Sequence, residues 1–224
     1  MIIKVCGMRD GDNIRAVEKL EINWMGFIFY PESPRYVPDE EKFNAVIQSC
    51  TKVRVGVFVN ESREEIRRKV EKYRLDYVQL HGDESADFCR RLQEDGYAVI
   101  KAFSISSETD LQQTMAYEPF VAYFLFDTKG SKWGGTGRRF DWAVLEAYRG
   151  DVPFLLSGGI GPENVSDLQL FAHPLLAGID LNSRFELSPA LKDVDRLERF
   201  VNQVKGVILN NKHADDADLK DLRR

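Results

Sequence analysis

Two side chains at the ends of short apolar runs have the chemistry to move protons. Cys6 closes Ile2-Ile3-Lys4-Val5-Cys6. In a strand Lys4 and Cys6 share a face, and a nearby ammonium favours thiolate, the form that takes a proton. The alternative is a buried small hydrophobe, a common fate of a free cysteine. Asp127 ends Tyr123-Phe124-Leu125-Phe126-Asp127. A partly desolvated carboxyl has a raised pKa and suits proton donation. The alternative for Asp127 is a helix cap or a plain loop carboxylate.

Other segments suit binding. Ser157-Gly158-Gly159-Ile160-Gly161-Pro162 joins an apolar run to a helical pattern. Its glycines let backbone amides converge on a phosphate, helped by a helix N-terminus. Asp180-Leu181-Asn182-Ser183 closes a later run, where Ser183 offers a hydroxyl and an amide. Arg35 stands in the stiff segment from Pro31 to Pro38. A guanidinium held rigidly grips a carboxylate with two hydrogen bonds, although surface arginines are commoner. His81 is either a hydrogen-bonding group for substrate or a satisfied histidine at a strand end. The glycine-rich Lys129–Gly137 is either a mobile lid or a simple connection. His81, His173 and His213 show no metal-ligand spacing, so no metal is expected. No GxxxxGK[ST] string occurs, which argues against a nucleotide P-loop.

These residues need elements to hold them. Strands are expected at Ile2–Cys6, Trp24–Phe29, Val53–Val59, Tyr77–Leu80, Ala98–Phe103, Val121–Phe126, Phe154–Leu156 and Gly178–Leu181, each short and apolar as buried parallel strands are. Helical spacing is expected over Asn13–Leu20, Ser62–Tyr73, Ser85–Glu94, Asp141–Tyr148, Pro162–Leu170 and Asp193–Val204. Ser62 and Glu65 form a capping-box pair. The unit around Ser104–Phe120 has a poor helix signal. Strand-helix alternation implies parallel strands with right-handed crossovers. Eight units in 224 residues fit a single closed (β/α)₈ barrel, an α/β TIM barrel. An open doubly wound sheet, usually with fewer units, is the competing architecture. Residues 1–205 form the expected barrel domain and 206–224 a polar, charged tail. The chemistry of such a barrel sits at the C-terminal ends of its strands. Cys6, His81, Asp127, Ser157 and Asp180 all fall there.

Composition narrows the function classes. The net charge is −5, from 31 basic and 36 acidic residues, against a nucleic-acid-binding face. A local pocket for a small anion remains compatible with it. Cys6, Cys50 and Cys89 are odd in number and widely spaced, which argues against a disulfide framework and for a reducing cytosol. Cys50 and Cys89 fall in helical patterns and read as structural. No apolar stretch approaches the ~18 residues of a membrane span. A cytoplasmic protein is expected, acting on a small phosphorylated substrate, as a monomer or homodimer.

The motifs resemble one family. Lys4-Val5-Cys6-Gly7-Met8, Gly26-Phe27-Ile28-Phe29 with Ser33-Pro34-Arg35-Tyr36-Val37, Val55-Gly56-Val57-Phe58-Val59-Asn60, Val78-Gln79-Leu80-His81-Gly82-Asp83-Glu84, Phe126-Asp127 with Gly134-Gly135-Thr136-Gly137, and Ser157-Gly158-Gly159-Ile160 are similar to phosphoribosylanthranilate isomerase. The resemblance spans roughly residues 2–201. It implies an Amadori rearrangement of N-(5′-phosphoribosyl)anthranilate in tryptophan biosynthesis, without cofactor. It implies Asp127 as general acid and Cys6 as general base. It implies Arg35 for the anthranilate carboxylate, with His81 and Asp180 also on substrate. It places phosphate at Gly158-Gly159 and at the loop Asn182-Ser183-Arg184. One departure stands out. After strand eight the family reads close to Asp-x-Ser-Ser-Gly-Val-Glu, whereas this chain has Asp180-Leu181-Asn182-Ser183-Arg184-Phe185-Glu186. If the replaced glycine used positive φ, Arg184 meets strain; its side chain is also a candidate phosphate ligand. Two alternatives remain at this level. One is a sugar-phosphate isomerase barrel of histidine biosynthesis, where Asp rather than Cys would end strand one. The other is a barrel that keeps its pocket only for binding.

Overall fold

The computed structural model describes residues 1–128 and 142–206. The glycine-rich segment expected as a lid, the Gly134–Gly137 string and the tail from 207 onward lie outside the described residues.

Eight parallel strands close into a barrel in chain order: β1 Ile2–Cys6, β2 Trp24–Ile28, β3 Val53–Phe58, β4 Tyr77–Leu80, β5 Val99–Ile105, β6 Tyr123–Thr128, β7 Phe154–Ser157 and β8 Leu176–Leu181. β1 pairs with both β2 and β8, which closes the ring and removes any free edge. The open doubly wound alternative is therefore excluded. Each strand alternates its side chains between two hydrophobic layers. Residues such as Ile3, Val5, Phe27, Phe58, Phe126 and Ile179 face outward into the layer beneath the helices. Trp24, Val55, Ile100, Leu125 and Leu155 fill the barrel interior. Trp24 stacks on Tyr77 at 4.8 Å and meets Tyr123 edge-on at 5.3 Å, near the N-terminal ends of their strands. The interior is thus plugged with aromatic rings at one end. Polar side chains stand at the other.

The helices follow the amphipathic pattern with some changes. α1 Gly11–Glu18 starts at Asp10, whose carboxylate accepts from the Asn13 amide at 2.8 Å. α3 Arg63–Tyr73 starts at Ser62, whose hydroxyl accepts from the Glu65 amide at 3.2 Å. The Glu65 carboxylate turns to Arg68 and does not complete the capping box. α4 Ala86–Glu94 is capped in the same way by Ser85. α2 Glu41–Ser49 was not among the expected helices. The weak fifth unit is α5 Glu108–Leu111 followed by short 3₁₀ turns. The segment expected as a helix after β6 is 3₁₀ over Trp142–Ala147. α6 Val165–Leu170 continues a 3₁₀ turn begun at Pro162, and residues 194–206 are helical. A small antiparallel ribbon, β9 Glu186–Ser188 with β10 Leu191–Lys192, follows the barrel and was also unanticipated.

Candidate active site

The C-terminal mouth of the barrel holds a cavity of about 290 Å³. Its wall brings together Cys6, His81, Asp127, Gly158, Gly159, Asp180, Asn182, Ser183 and Arg184, contributed by strands on opposite sides of the ring. The polar wall also includes Gln79 from β4 and Ser157 at the end of β7.

The side built from β1 and β8 is dry and paired. Lys4 and Asp180 are register partners on neighbouring strands. Lys4 Nζ donates to Asp180 Oδ1 at 2.9 Å, and neither side chain is more than 6% exposed. Burial alone would depress the lysine; the Asp180 carboxylate and the Cys6 sulfur beside it hold it above its ordinary value. Ser157 Oγ reaches the other oxygen, Asp180 Oδ2, at 3.4 Å. Asp180 therefore lines the cavity with both carboxylate oxygens already engaged. Cys6 is 4% exposed. Burial pushes its thiol up, Lys4 pulls it down, Asp180 pushes it up again, and Lys192 pulls it down. The balance lies above the ordinary thiol value. Lys4 thus acts in the expected direction, and burial outweighs it. Gly26 makes the room: a Cβ there would sit 2.6 Å from Cys6 Sγ.

The β9–β10 ribbon completes this side. Lys192 has a fully buried side chain, and its Nζ donates at 2.7 Å to both Asn182 Oδ1 and Glu186 Oε1. Glu186 in turn receives Arg35: Nε lies at 2.8 and 3.0 Å from its two oxygens, and Nη2 at 2.6 Å. Burial pushes the Glu186 carboxyl up, but hydrogen bonds from Arg35 and Lys192 bring it below the usual range. Arg35 is absent from the cavity wall. It grips a carboxylate as its rigid setting predicts, and that carboxylate belongs to the protein. The Arg35 stem packs over Gly7, whose φ of 77° and lack of a Cβ permit it, since a Cβ there would lie 2.6 Å from Arg35 Cδ. The sequence pattern assigned no role to Lys192 or Glu186.

The side built from β4 and β6 is looser. Asp127 and His81 are 29% and 35% exposed, with His81 Nε2 3.5 Å from Asp127 Oδ2. Gln79 Nε2 lies 3.2 Å from His81 Nδ1. The apolar run before Asp127 faces the core and the barrel interior, but its carboxyl opens into the cavity. At 29% exposure the carboxyl is partly desolvated, as expected.

The remaining wall is the turn after β7 and the loop after β8. Gly158 and Gly159 take φ of 96° and 65°, conformations that side chains resist. Arg184 lies in a 3₁₀ turn, Ser183–Phe185, without positive φ, so the feared strain does not arise. Its guanidinium reaches the cavity wall while pairing with Glu163, from the turn after β7. Among the described residues no cluster of His, Cys, Asp and Glu suits a metal, and no helix is long and apolar enough to cross a membrane.

A closed parallel barrel with a thiol, a carboxyl and a glycine turn at its C-terminal mouth belongs with the barrel enzymes that act on small phosphorylated substrates. The comparison with known proteins narrows that class. The family model for N-(5′-phosphoribosyl)anthranilate (PRA) isomerase matches residues 3–203. The N-(5′-phosphoribosyl)anthranilate isomerase of Parabacteroides distasonis is 53% identical over 207 residues, covering 91% of this chain and 93% of that protein. The phosphoribosyl anthranilate isomerase structure from Thermotoga maritima superposes with a TM-score of 0.77 at 33% identity, over 92% of this chain and all of that one. A structure of such an isomerase in complex with reduced 1-(o-carboxyphenylamino)-1-deoxyribulose 5-phosphate matches with a TM-score of 0.75 at 31% identity, over 92% and 100% of the two chains. The chain belongs to the N-(5′-phosphoribosyl)anthranilate isomerase family, isomerases of tryptophan biosynthesis.

Proposed function

We propose that this cavity converts N-(5′-phosphoribosyl)anthranilate to 1-(o-carboxyphenylamino)-1-deoxyribulose 5-phosphate, with Asp127 as general acid and Cys6 as general base. The observation that carries the assignment is that Cys6 on β1 and Asp127 on β6 open into one cavity from opposite sides. An Amadori rearrangement needs that arrangement. The Asp127 carboxyl gives a proton to the ribose ring oxygen as the C1′–O bond breaks, and the aniline nitrogen supplies the electron pair that forms the Schiff base. The Cys6 thiolate then removes the proton from C2′, leaving an enolamine. A proton returns to C1′ as the C2′ hydroxyl loses its own, which gives the ketone. Exchange with solvent resets Asp127 as acid and Cys6 as base. The oxidation of C2′ and the reduction of C1′ balance within one molecule, so the reaction consumes no redox cofactor.

The placement of the other groups follows. The glycine turn at 158–159, with Asn182, Ser183 and Arg184, takes the phosphate. His81 stands beside Asp127 and orients its carboxyl toward the ring oxygen. Arg35, held at the rim by Glu186, keeps its remaining Nη1 for the anthranilate carboxylate. Residues 1–205 act as the catalytic barrel, working in the cytoplasm.

The test is the loss of anthranilate-type fluorescence when protein meets freshly prepared substrate. Cys6→Ala and Asp127→Asn should each lower kcat at least about a hundredfold, the lower end of what a positioned acid or base contributes. Activity that survives Cys6→Ala would keep the reaction and overturn the role of the thiol.

A further inference from the structure

The electrostatic surroundings of Cys6 point to a residue that no motif names. Five charged side chains cluster about it and about its neighbour Asn182. Lys4 comes from β1, Asp180 from β8, Glu186 from β9, Lys192 from β10 and Arg35 from the loop after β2. In their ionised forms they are three cations and two carboxylates. Within this group one positive charge is left unmatched, and a thiolate at Cys6 would match it; the other charged and titratable groups of the cavity, Asp127 beside His81 and Arg184 paired with Glu163, are more exposed and lie across it or at its rim. Lys4 is taken by Asp180 at 2.9 Å, and Arg35 is taken by Glu186 at 2.6 Å. Lys192 is the cation that shares its carboxylate with another, and its second contact is the neutral amide oxygen of Asn182.

Its placement is fixed from both ends. Lys192 N donates to Asn13 Oδ1 at 2.8 Å, and Asn13 Nδ2 donates to Lys192 O at 2.9 Å. Asn13 is itself buried on α1. Backbone and ammonium are therefore both pinned, and the side chain has no exposed surface. Burying an ammonium is costly unless something charged repays it.

We infer that Lys192 is a positioning residue for the isomerisation: its buried ammonium supplies the positive charge that lets Cys6 become a thiolate, and through Glu186 it sets Arg35 at the rim. This rests on the reading of Cys6 as base. The two members of the ribbon then act in opposite directions. Removing Lys192 leaves the site neutral before the thiol ionises, so the thiolate becomes harder to form. Removing the Glu186 charge leaves the site more positive, so the thiolate becomes easier to form.

The experiment is a pH titration of thiolate ultraviolet absorbance, taken as the difference between each protein and the same protein carrying Cys6→Ala. The difference cancels Cys50 and Cys89, which burial raises to about 11 and about 12. Lys192→Met should move the Cys6 midpoint up by about one pH unit and lower kcat/KM near neutral pH about tenfold, the rate equivalent of one unit. Glu186→Gln should move the midpoint down and raise KM, because Arg35 loses its anchor. Lys192→Arg keeps the charge and should titrate near the native protein. A folded Lys192→Met protein with an unmoved midpoint overturns the inference. If Lys192→Met does not fold, a Glu186→Gln midpoint that stays put or rises overturns it equally. Activity that survives Cys6→Ala would instead overturn the base assignment, and the titration would still judge Lys192.

Discussion

The two halves of the barrel mouth are built on different principles. On the β1–β8 side Lys4, Asp180, Lys192 and Glu186 are almost fully buried, Arg35 is 19% exposed, and each is paired, with one cation more than there are carboxylates. On the β4–β6 side, Asp127 and His81 are each about a third exposed and meet at 3.5 Å. The difference fits the two proton transfers. A thiol in a dry pocket is available as thiolate, the form that takes a proton, only if fixed charges close by stabilise the anion. A carboxyl that gives up a proton needs access to the ring oxygen and a route to be reprotonated. The first task rewards pre-built rigidity and the second tolerates an open wall.

This contrast predicts unequal sensitivity to mutation. The largest effect belongs to the buried side. Lys4→Met strands the Asp180 carboxylate in a dry wall, and breaking such a pair costs about 3–5 kcal/mol. Urea unfolding should register that loss together with failure of catalysis. The double change Lys4→Met with Asp180→Leu should recover much of the stability and none of the activity. A single Lys4→Met that unfolds like the native protein would mean that water reaches this pair.

His81→Ala tests the open side. Little buried contact is lost, so unfolding should shift within about 0.5 kcal/mol, as at ordinary surface positions. The kcat should still fall about tenfold, because a misplaced acid slows the chemistry without weakening the fold. A fall in KM performance alone, with kcat intact, would make His81 a substrate contact and not an orienting group for Asp127.

The same contrast explains what the sequence makes legible. Strand-end polar residues such as Cys6, His81, Asp127 and Asp180 are readable because strand periodicity and barrel geometry together say where they point. The glycine turn is readable because its conformation demands its residue type. Lys192 is not readable: its partner Asn13 is 179 positions away, and nothing in Leu187-Ser188-Pro189-Ala190-Leu191 alternates in a way that announces a ribbon. Arg35 was half legible, since rigidity predicts a bidentate grip but cannot say whose carboxylate fills it. α2 left a usable trace in Phe43, Val46 and Ile47, spaced three and four apart, although the prolines before it draw attention to the loop. The 3₁₀ turn at Trp142–Ala147 has an apolar pattern close to that of an α-helix, and no periodicity separates the two over so few residues.

The smallest effect belongs to Arg184, where this chain departs from the family pattern. Its guanidinium is about half exposed and already paired with Glu163, itself half exposed. Solvent screens such a contact, so a phosphate would gain little from it, on the order of the weak exposed pairs. Phosphate must also compete with Glu163 for the same donor. Arg184→Ala should raise KM about two- to fivefold at low salt, with kcat unchanged and the difference shrinking as salt is added. Glu163→Gln should do the reverse, freeing the guanidinium and lowering KM. If Arg184→Ala leaves KM unmoved at low salt, the phosphate is held by the backbone of the glycine turn and by Ser183, and Arg184 serves only to tie the β8 loop to the turn after β7.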